Sequence, residues 1–243
     1  MKPQLPLISV VTVCRNALPM LKITVESVLS QTYPRIQHVI IDGASSDDTP
    51  RFLEGLKSAT WISEPDRGIF DAMNKGAWMA KGEWVIFMNA GDTFASPDVV
   101  ERVFSGRDVS PFGVIYGNVL KEGHDGGLIE KPSLPPANCH RMFFCHQSAF
   151  YRRSDLLVYP FDLRHPLSAD IHQVKRMLRA GIRFCRLDFP VAVFDTHGVS
   201  NTRRSAGLRD NISVVCELDP LFAKIKFLPK LIIPYMLCRL RGK

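Results

Sequence analysis

The chain has 243 residues, 46% of them hydrophobic and 23% charged, which suits one α/β domain with a modest extension and is too apolar for a disordered chain. Its formal charge of +7 favours anionic partners. With no zinc-finger spacing, no aromatic RNA-binding signature and no Lys/Arg block, nucleic acid ranks behind nucleotides and anionic lipid.

Leu7 to Cys14 is rich in β-branched residues and predicts a first strand ending in Arg15-Asn16-Ala17. Leu18 to Gln31 carries helical spacing in Leu21, Val25, Val28 and Leu29. Ile36 to Ile41 predicts the second strand, which runs into the acid-, glycine- and hydroxyl-rich segment Asp42-Gly43-Ala44-Ser45-Ser46-Asp47-Asp48-Thr49 and a short helix over 49–57. A third strand, Thr60 to Ser63, leads to Glu64-Pro65-Asp66-Arg67-Gly68 and a helix over 69–80. The apolar run Trp84 to Met88 then predicts a strand buried on both faces, stopping at Asn89-Ala90-Gly91-Asp92. Four strand–helix alternations argue a parallel sheet with right-handed crossovers.

The second half is less regular. The spacing predicts a helix over 99–104, a strand over 114–117, a mobile loop over 123–138, a strand over 143–151 around His146-Gln147-Ser148, a helix over 169–180 ending at Gly181, and an extended segment over 184–194 broken at Pro190. The six scattered cysteines contain no CxxC pair, and the Cys139-His140/Cys145-His146 doublet matches no common zinc spacing. Reduced thiols in a cytosolic setting fit better than a disulfide framework. No signal peptide and no run of about 18 uncharged apolar residues is evident. Residues 221–243 mix Leu, Ile, Phe and Met with Lys and Arg, contain no acid, and carry Pro229 and Pro234, which are expected to interrupt any helix. Such a tail either meets an anionic membrane surface or packs on the domain with snorkelling lysines.

Three carboxylates, Asp42, Asp66 and Asp92, fall at the ends of successive strands, where ligands of an open α/β sheet sit. The chain lacks GxGxxG after its first strand, GxxxxGK[ST] and GxSxG, which lowers dinucleotide oxidoreductases, P-loop NTPases and α/β-hydrolases. An acid-lined nucleotide site that uses a divalent metal against phosphate remains.

Val10-Val11-Thr12-Val13-Cys14-Arg15-Asn16, Gln31-Thr32-Tyr33-Pro34 and the 42–49 segment resemble the N-terminal half of family 2 glycosyltransferases. The segment Glu64 to Gly76 resembles a bacterial branch that builds polysaccharides and glycolipids. The likeness is strong over residues 7–93 and looser over 143–200. It implies a GT-A fold: a Rossmann-like, mostly parallel sheet flanked by helices, with a C-terminal helical extension. Residues 1–93 would form the nucleotide-binding half and 94–220 the acceptor-binding half of a single domain, followed by the basic tail.

The resemblance also implies inverting transfer of a sugar from a nucleotide-sugar donor, a UDP-sugar being favoured, to a glycan or glycolipid acceptor, and the basic apolar tail adds the expectation of a lipid-linked acceptor met at the cytoplasmic face of a membrane. By that analogy Thr12, Arg15, Asn16, Asp42, Asp66 and Arg67 line the nucleotide pocket. Asp92, the one carboxylate left in the family's acidic metal motif, would hold Mn²⁺ or Mg²⁺, with His197 as second ligand or phosphate contact. Asp170, in Ser168-Ala169-Asp170, stands in the position of the catalytic base, and His146 and Gln147 on the acceptor side. Gly91 and Ala169 thin the acidic equipment, so the alternative is a nucleotide-sugar-binding module with little or no turnover.

Overall fold

A computed structural model describes residues 5–123, 126–195 and 204–240. Its organising strand is β1 (Ile8–Cys14), buried at every residue. β1 pairs in parallel with β2 (Ile36–Asp42) on one side and β4 (Trp84–Phe87) on the other, and β3 (Ala59–Ser63) continues the parallel order beyond β2. The crossovers are α1 (Leu18–Leu29), α2 (Thr49–Gly55) and α3 (Ile69–Met79). Side chains alternate between two core layers: Val11, Val13, Val85 and Phe87 face one, Ile8, Val10, Trp84 and Ile86 the other. That period of two, apolar on both faces, is why these strands read as continuous hydrophobic runs. Gly76 lets α3 lie directly on β1, since a Cβ there would collide with Val11 Cγ1.

The second half completes one sheet of order β3-β2-β1-β4-β8-β6-β9-β5, with β7 on β6. Its elements are β5 (Thr93–Phe94), α4 (Val99–Phe104), β6 (Val114–Glu122), β7 (Leu128–Lys131), a 3₁₀ turn at His146–Ser148, β8 (Ala149–Arg152), α5 (Arg153–Val158), α6 (Ala169–Arg179), β9 (Phe184–Phe194), α7 (Arg204–Leu218) and α8 (Leu221–Leu240). β8 runs antiparallel between β4 and β6, while β6 and β9 are parallel. This is the expected α/β fold with a helical C-terminal extension.

Three local expectations are corrected. The segment over 123–138 is not simply a loop, because β7 pairs with β6 from Val119↔Lys131 to Glu122↔Leu128; its side chains are all exposed, so no apolar period announced it. The strand expected over 143–151, around His146-Gln147-Ser148, is present only from Ala149, after a 3₁₀ turn at His146–Ser148. Pro229 and Pro234 do not interrupt α8, which runs through both. Each proline forfeits one backbone hydrogen bond, but Ala223, Phe227 and Leu231, one turn apart, are buried against Val215 of α7, and this seam holds the helix together. Pro190 is absorbed by a register shift opposite Asn118, and β9 continues past it.

Candidate active site

The register Cys14↔Asp42↔Ser63 aligns the carboxyl ends of β1, β2 and β3. The loops that leave them are laced together. The Asn16 N–H donates to Ser45 Oγ at 2.7 Å, Asn16 Oδ1 accepts the Ser46 N–H at 2.7 Å, and the Leu18 N–H donates to Asp47 Oδ2 at 3.3 Å. Asn16 (φ 50°) and Ala44 (φ 55°) both hold left-handed backbone, a conformation unfavourable for residues with a Cβ and retained where surrounding bonds enforce it.

Asp42 is fully buried. Its carboxylate accepts the Ser45 N–H at 3.0 Å, the Ser45 hydroxyl, and the Ser63 hydroxyl at 2.6 Å. It therefore fixes the 43–48 loop from beneath. Arg15 and Asn16 are exposed at the loop surface. A Cβ on Gly43 would collide with Asp66 Oδ2 and stand 3.4 Å from the Arg15 side chain, so Arg15, Gly43 and Asp66 form one small cradle at the strand ends. Asp66 Oδ1 accepts the Gly68 N–H at 2.8 Å at the start of α3.

The other two predicted nucleotide residues, Thr12 and Arg67, have partners of their own, and Arg67 also lines a cleft of about 440 Å³ with Asp71, Asn74 and Lys75. Thr12 lies inside β1, fully buried, with its Oγ1 2.9 Å from His38 Nε2; strand alternation turns it into the interior. Burial pushes the His38 imidazole down to about 4, so the ring is neutral. Arg67 pairs with Asp71 at 3.2 Å, one helical turn on, and its side chain is otherwise solvent-exposed.

Beyond β4 the chain turns through Gly91, whose φ of 101° favours glycine and whose Cβ would stand 2.7 Å from Asp195 Oδ2. Thr24 Oγ1 pins this turn by donating to the Asp92 carbonyl at 2.8 Å and accepting the Gly91 N–H at 2.9 Å. Asp92 is 2% exposed. Its Oδ1 accepts the Asp195 N–H at 2.9 Å, and the Gln147 side chain also hydrogen-bonds to its carboxylate. Burial, reinforced by the neighbouring Asp195 carboxylate, pushes Asp92 up to about 7. Gln147, only 4% exposed, accepts the Cys145 thiol at 2.9 Å. It is thus a buried partner of Asp92, held inward from the 3₁₀ turn.

Asp170 sits in the first turn of α6, where Oδ1 accepts the Ile171 N–H at 2.8 Å. Burial, with a smaller push from Asp210, raises it to about 6. Asp92 and Asp170 both act on the Cys145 thiol, which burial pushes up to about 12. The two raised carboxyl groups come from different elements, Asp92 from the turn after β4 and Asp170 from α6. Tyr151 of β8 feels the Asp170 charge, and its buried hydroxyl has no hydrogen-bond partner among the described residues. The half-buried His146 ring is pushed down to about 4 by burial, and its Nδ1 likewise lacks a partner among the described residues. His197 lies outside the described residues.

Asp195 and Tyr151 escaped sequence reasoning. Asp195 meets Asp92 across 103 residues, a distance no local pattern encodes. The Asp92–Asp195 pair fits a hard divalent cation: two carboxylates brought together in a buried setting offer oxygen ligands, and one of them is raised by the very burial and repulsion that a cation would relieve. A cleft of about 400 Å³ lies between the segment before α6 and helices α7 and α8, lined by Leu167, Arg209, Asp210, Tyr235 and Arg239 among others.

Comparison with known proteins bears on this arrangement. The family profile Glycosyl transferase family 2 matches residues 9–166. An uncharacterised glycosyltransferase of Mycobacterium tuberculosis is 33% identical over 219 residues, covering 84% of this chain and 80% of its own. An Escherichia coli UDP-Glc:alpha-D-GlcNAc-diphosphoundecaprenol beta-1,3-glucosyltransferase, WfaP, is 29% identical over 100 residues, 40% of each chain. Among solved structures, a mannosyltransferase from Pyrobaculum calidifontis in complex with GDP-Man and Mn²⁺ superposes with a TM-score of 0.66 at 18% identity, over 88% of this chain and 64% of that one.

Proposed function

The chain belongs to glycosyl transferase family 2, and we propose that it transfers a sugar, with inversion, from a UDP-sugar to a hydroxyl of a lipid-linked or glycan acceptor. The observation that carries this reading is a pair of carboxyl groups that burial raises, Asp92 just past β4 and Asp170 in the first turn of α6. They divide the work of a displacement at an anomeric carbon. Residues 1–93 form the donor half and 94–220 the acceptor half.

On the donor side, Arg15 and Asp66 meet the nucleoside, and Asn16 holds the loop that receives it. Asp42 acts from below, through Ser45 and Ser63. Asp92 and Asp195 would hold Mn²⁺ or Mg²⁺, with Gln147 orienting Asp92. When bound, the cation neutralises the departing diphosphate. The mannosyltransferase complex with Mn²⁺ supports a metal in this fold, and the donor of WfaP supports UDP.

On the acceptor side, Asp170 takes the proton of the attacking hydroxyl. As the new C–O bond forms on one face of the anomeric carbon, the bond to the diphosphate oxygen breaks on the other, and the nucleoside diphosphate leaves. A base raised to about 6 holds that proton better than an ordinary carboxylate yet is ionised at neutral pH. His146, neutral and half-buried, meets the acceptor sugar. The guanidinium groups of Arg209 and Arg239 in the cleft beside α7 and α8 suit the diphosphate of a lipid-linked acceptor.

A peripheral position on the cytoplasmic face of a membrane accompanies this reading. α8 exposes Leu221, Phe222, Ile225, Ile233, Met236 and Leu240 beside basic residues. No helix among the described residues is long and apolar enough to cross a membrane. The decisive assay incubates labelled UDP-sugars with a bacterial lipid extract and either wild type or Asp170→Asn. Label moving into the lipid fraction with wild type alone supports the proposal. Equal transfer by both proteins would remove Asp170 as base, and no transfer with any donor would point to a binding module.

A further inference from the structure

A second cluster lies at the seam between residues 162–172 and α7, and the glycosyl-transfer reading does not use it. His165 and His172 are each 2% exposed, and their rings stack with centroids 4.8 Å apart. His165 Nε2 stands 3.1 Å from Glu217 Oε2, and His172 Nε2 stands 3.4 Å from Glu217 Oε1. The ligand atoms of His165, His172 and Glu217 all lie within 4.8 Å of one another. Asp162 Oδ2 approaches the same His172 Nε2 at 3.9 Å.

The two His–Glu217 contacts are near the ligand spacing of a metal polyhedron, and the wider separations would close by about an ångström when an ion binds. Ligands about 2.0–2.2 Å from a tetrahedral zinc ion stand roughly 3.3–3.5 Å from one another. The far ring nitrogen of His165 is already engaged, with Nδ1 3.0 Å from Asp210 Oδ1. A carboxylate behind a ligating imidazole fixes its tautomer and aims the other nitrogen at the metal. With Nδ1–H donating to Asp210, Nε2 is left facing Glu217 Oε2, which it can meet as a second N–H donor or, as a lone pair, across a bound cation. Two imidazoles and two carboxylates form a donor set of intermediate softness, better matched to zinc than to magnesium or calcium.

We propose that His165, His172 and Glu217, with Asp162 as fourth ligand, form a Zn²⁺ site that clamps α7 to the segment leading into α6. Arg164 now shares its guanidinium between Asp162 Oδ2 at 2.6 Å and Glu217 Oε1 at 3.0 Å. Its side chain is 68% exposed, so it swings aside when the ion enters. The carboxylate behind His165 also accepts the Leu167 N–H at 2.9 Å through Asp210 Oδ2, so the ion would bind a framework already tied together by Asp210.

The test needs no donor or acceptor. The full chain, stripped with chelator, is titrated with Co²⁺ and then Zn²⁺, following visible absorption and thermal unfolding. The expected result is one equivalent of Co²⁺ giving the intense bands of tetrahedral coordination, displaced by Zn²⁺, with a rise in Tm. His172→Ala and Glu217→Gln, checked for folding by circular dichroism, weaken binding at least tenfold, whereas Asp92→Asn leaves it unchanged. Arg164→Ala, which keeps every ligand and removes the competing cation, tightens it. Absence of the tetrahedral spectrum in folded wild type and in Arg164→Ala would overturn the site, as would a spectrum that survives both ligand substitutions.

Discussion

Asp42 and Asp92 both follow parallel strands and both are buried, yet their surroundings differ in kind. Asp42 is enclosed by its own neighbourhood: the Ser45 amide, the Ser45 hydroxyl and the Ser63 hydroxyl all donate to it. Asp92 receives the Asp195 N–H and Gln147, but a second carboxylate stands beside it, and burial drives it up to about 7. A carboxylate supplied with neutral donors stabilises a loop, whereas one left beside another acid stores a demand for a cation or a proton. By this criterion Asp42 is scaffold, and the proposed function puts the chemistry at Asp92 and Asp170.

The largest expected effect is on turnover. Asp170→Asn should lower transfer by roughly 10²–10⁴-fold and leave donor binding intact, as read by calorimetry beside the lipid-extract assay. Next comes the partner of Asp92: Gln147→Ala should weaken metal-supported nucleotide binding about 10–100-fold. If binding is instead unchanged, the hydrogen bond to Asp92 has no role in orienting it. The pH profile follows. With Asp170 at about 6, the rate should level off above that pH and fall about tenfold per unit below it. A profile flat down to pH 5 would remove it as base.

Stability sharpens the contrast further. Asp92 is raised in the folded state, so between about pH 4 and 7 the native protein holds a proton that the unfolded chain has released. Its contribution is fully present below that window and lost as pH rises through about 7. Asp92→Asn should therefore stabilise the metal-free protein at pH 8, on the order of 3 kcal/mol, seen as a higher Tm that converges on wild type at pH 4. On the scaffold side, Ser63→Ala removes one donor from buried Asp42 and should cost about 1–3 kcal/mol of stability, with donor binding changed only a few-fold.

The parallel half was legible because its strands are apolar on both faces and its helices carry regular spacing: Val10 and Val11, or Ile86 and Phe87, look the same from sequence and core. The carboxylates at its edge were legible as a row, but not their fates. Which oxygens Ser63 and Ser45 would occupy depends on strand register, and the meeting of Asp92 with Asp195 depends on β5 and β9 lying side by side. For Thr12 the motif told of the end of a strand but not that its side chain faces the interior and meets His38. Arg67 was readable in principle, since Asp71 lies one helical turn away. β7 and α7 were missed for physical reasons. β7 is fixed by backbone bonds with every side chain exposed, and α7 buries only Val214 and Val215 in a largely polar sequence.

The claim that the chemistry lies at Asp92 and Asp170 is met most directly by calorimetric titration of UDP- and GDP-sugars, with and without Mn²⁺, into wild type, Asp92→Ala and Asp170→Asn. The account predicts Mn²⁺-dependent binding of a UDP-sugar to wild type and Asp170→Asn, lost in Asp92→Ala. Mn²⁺-dependent binding that survives in Asp92→Ala would contradict it.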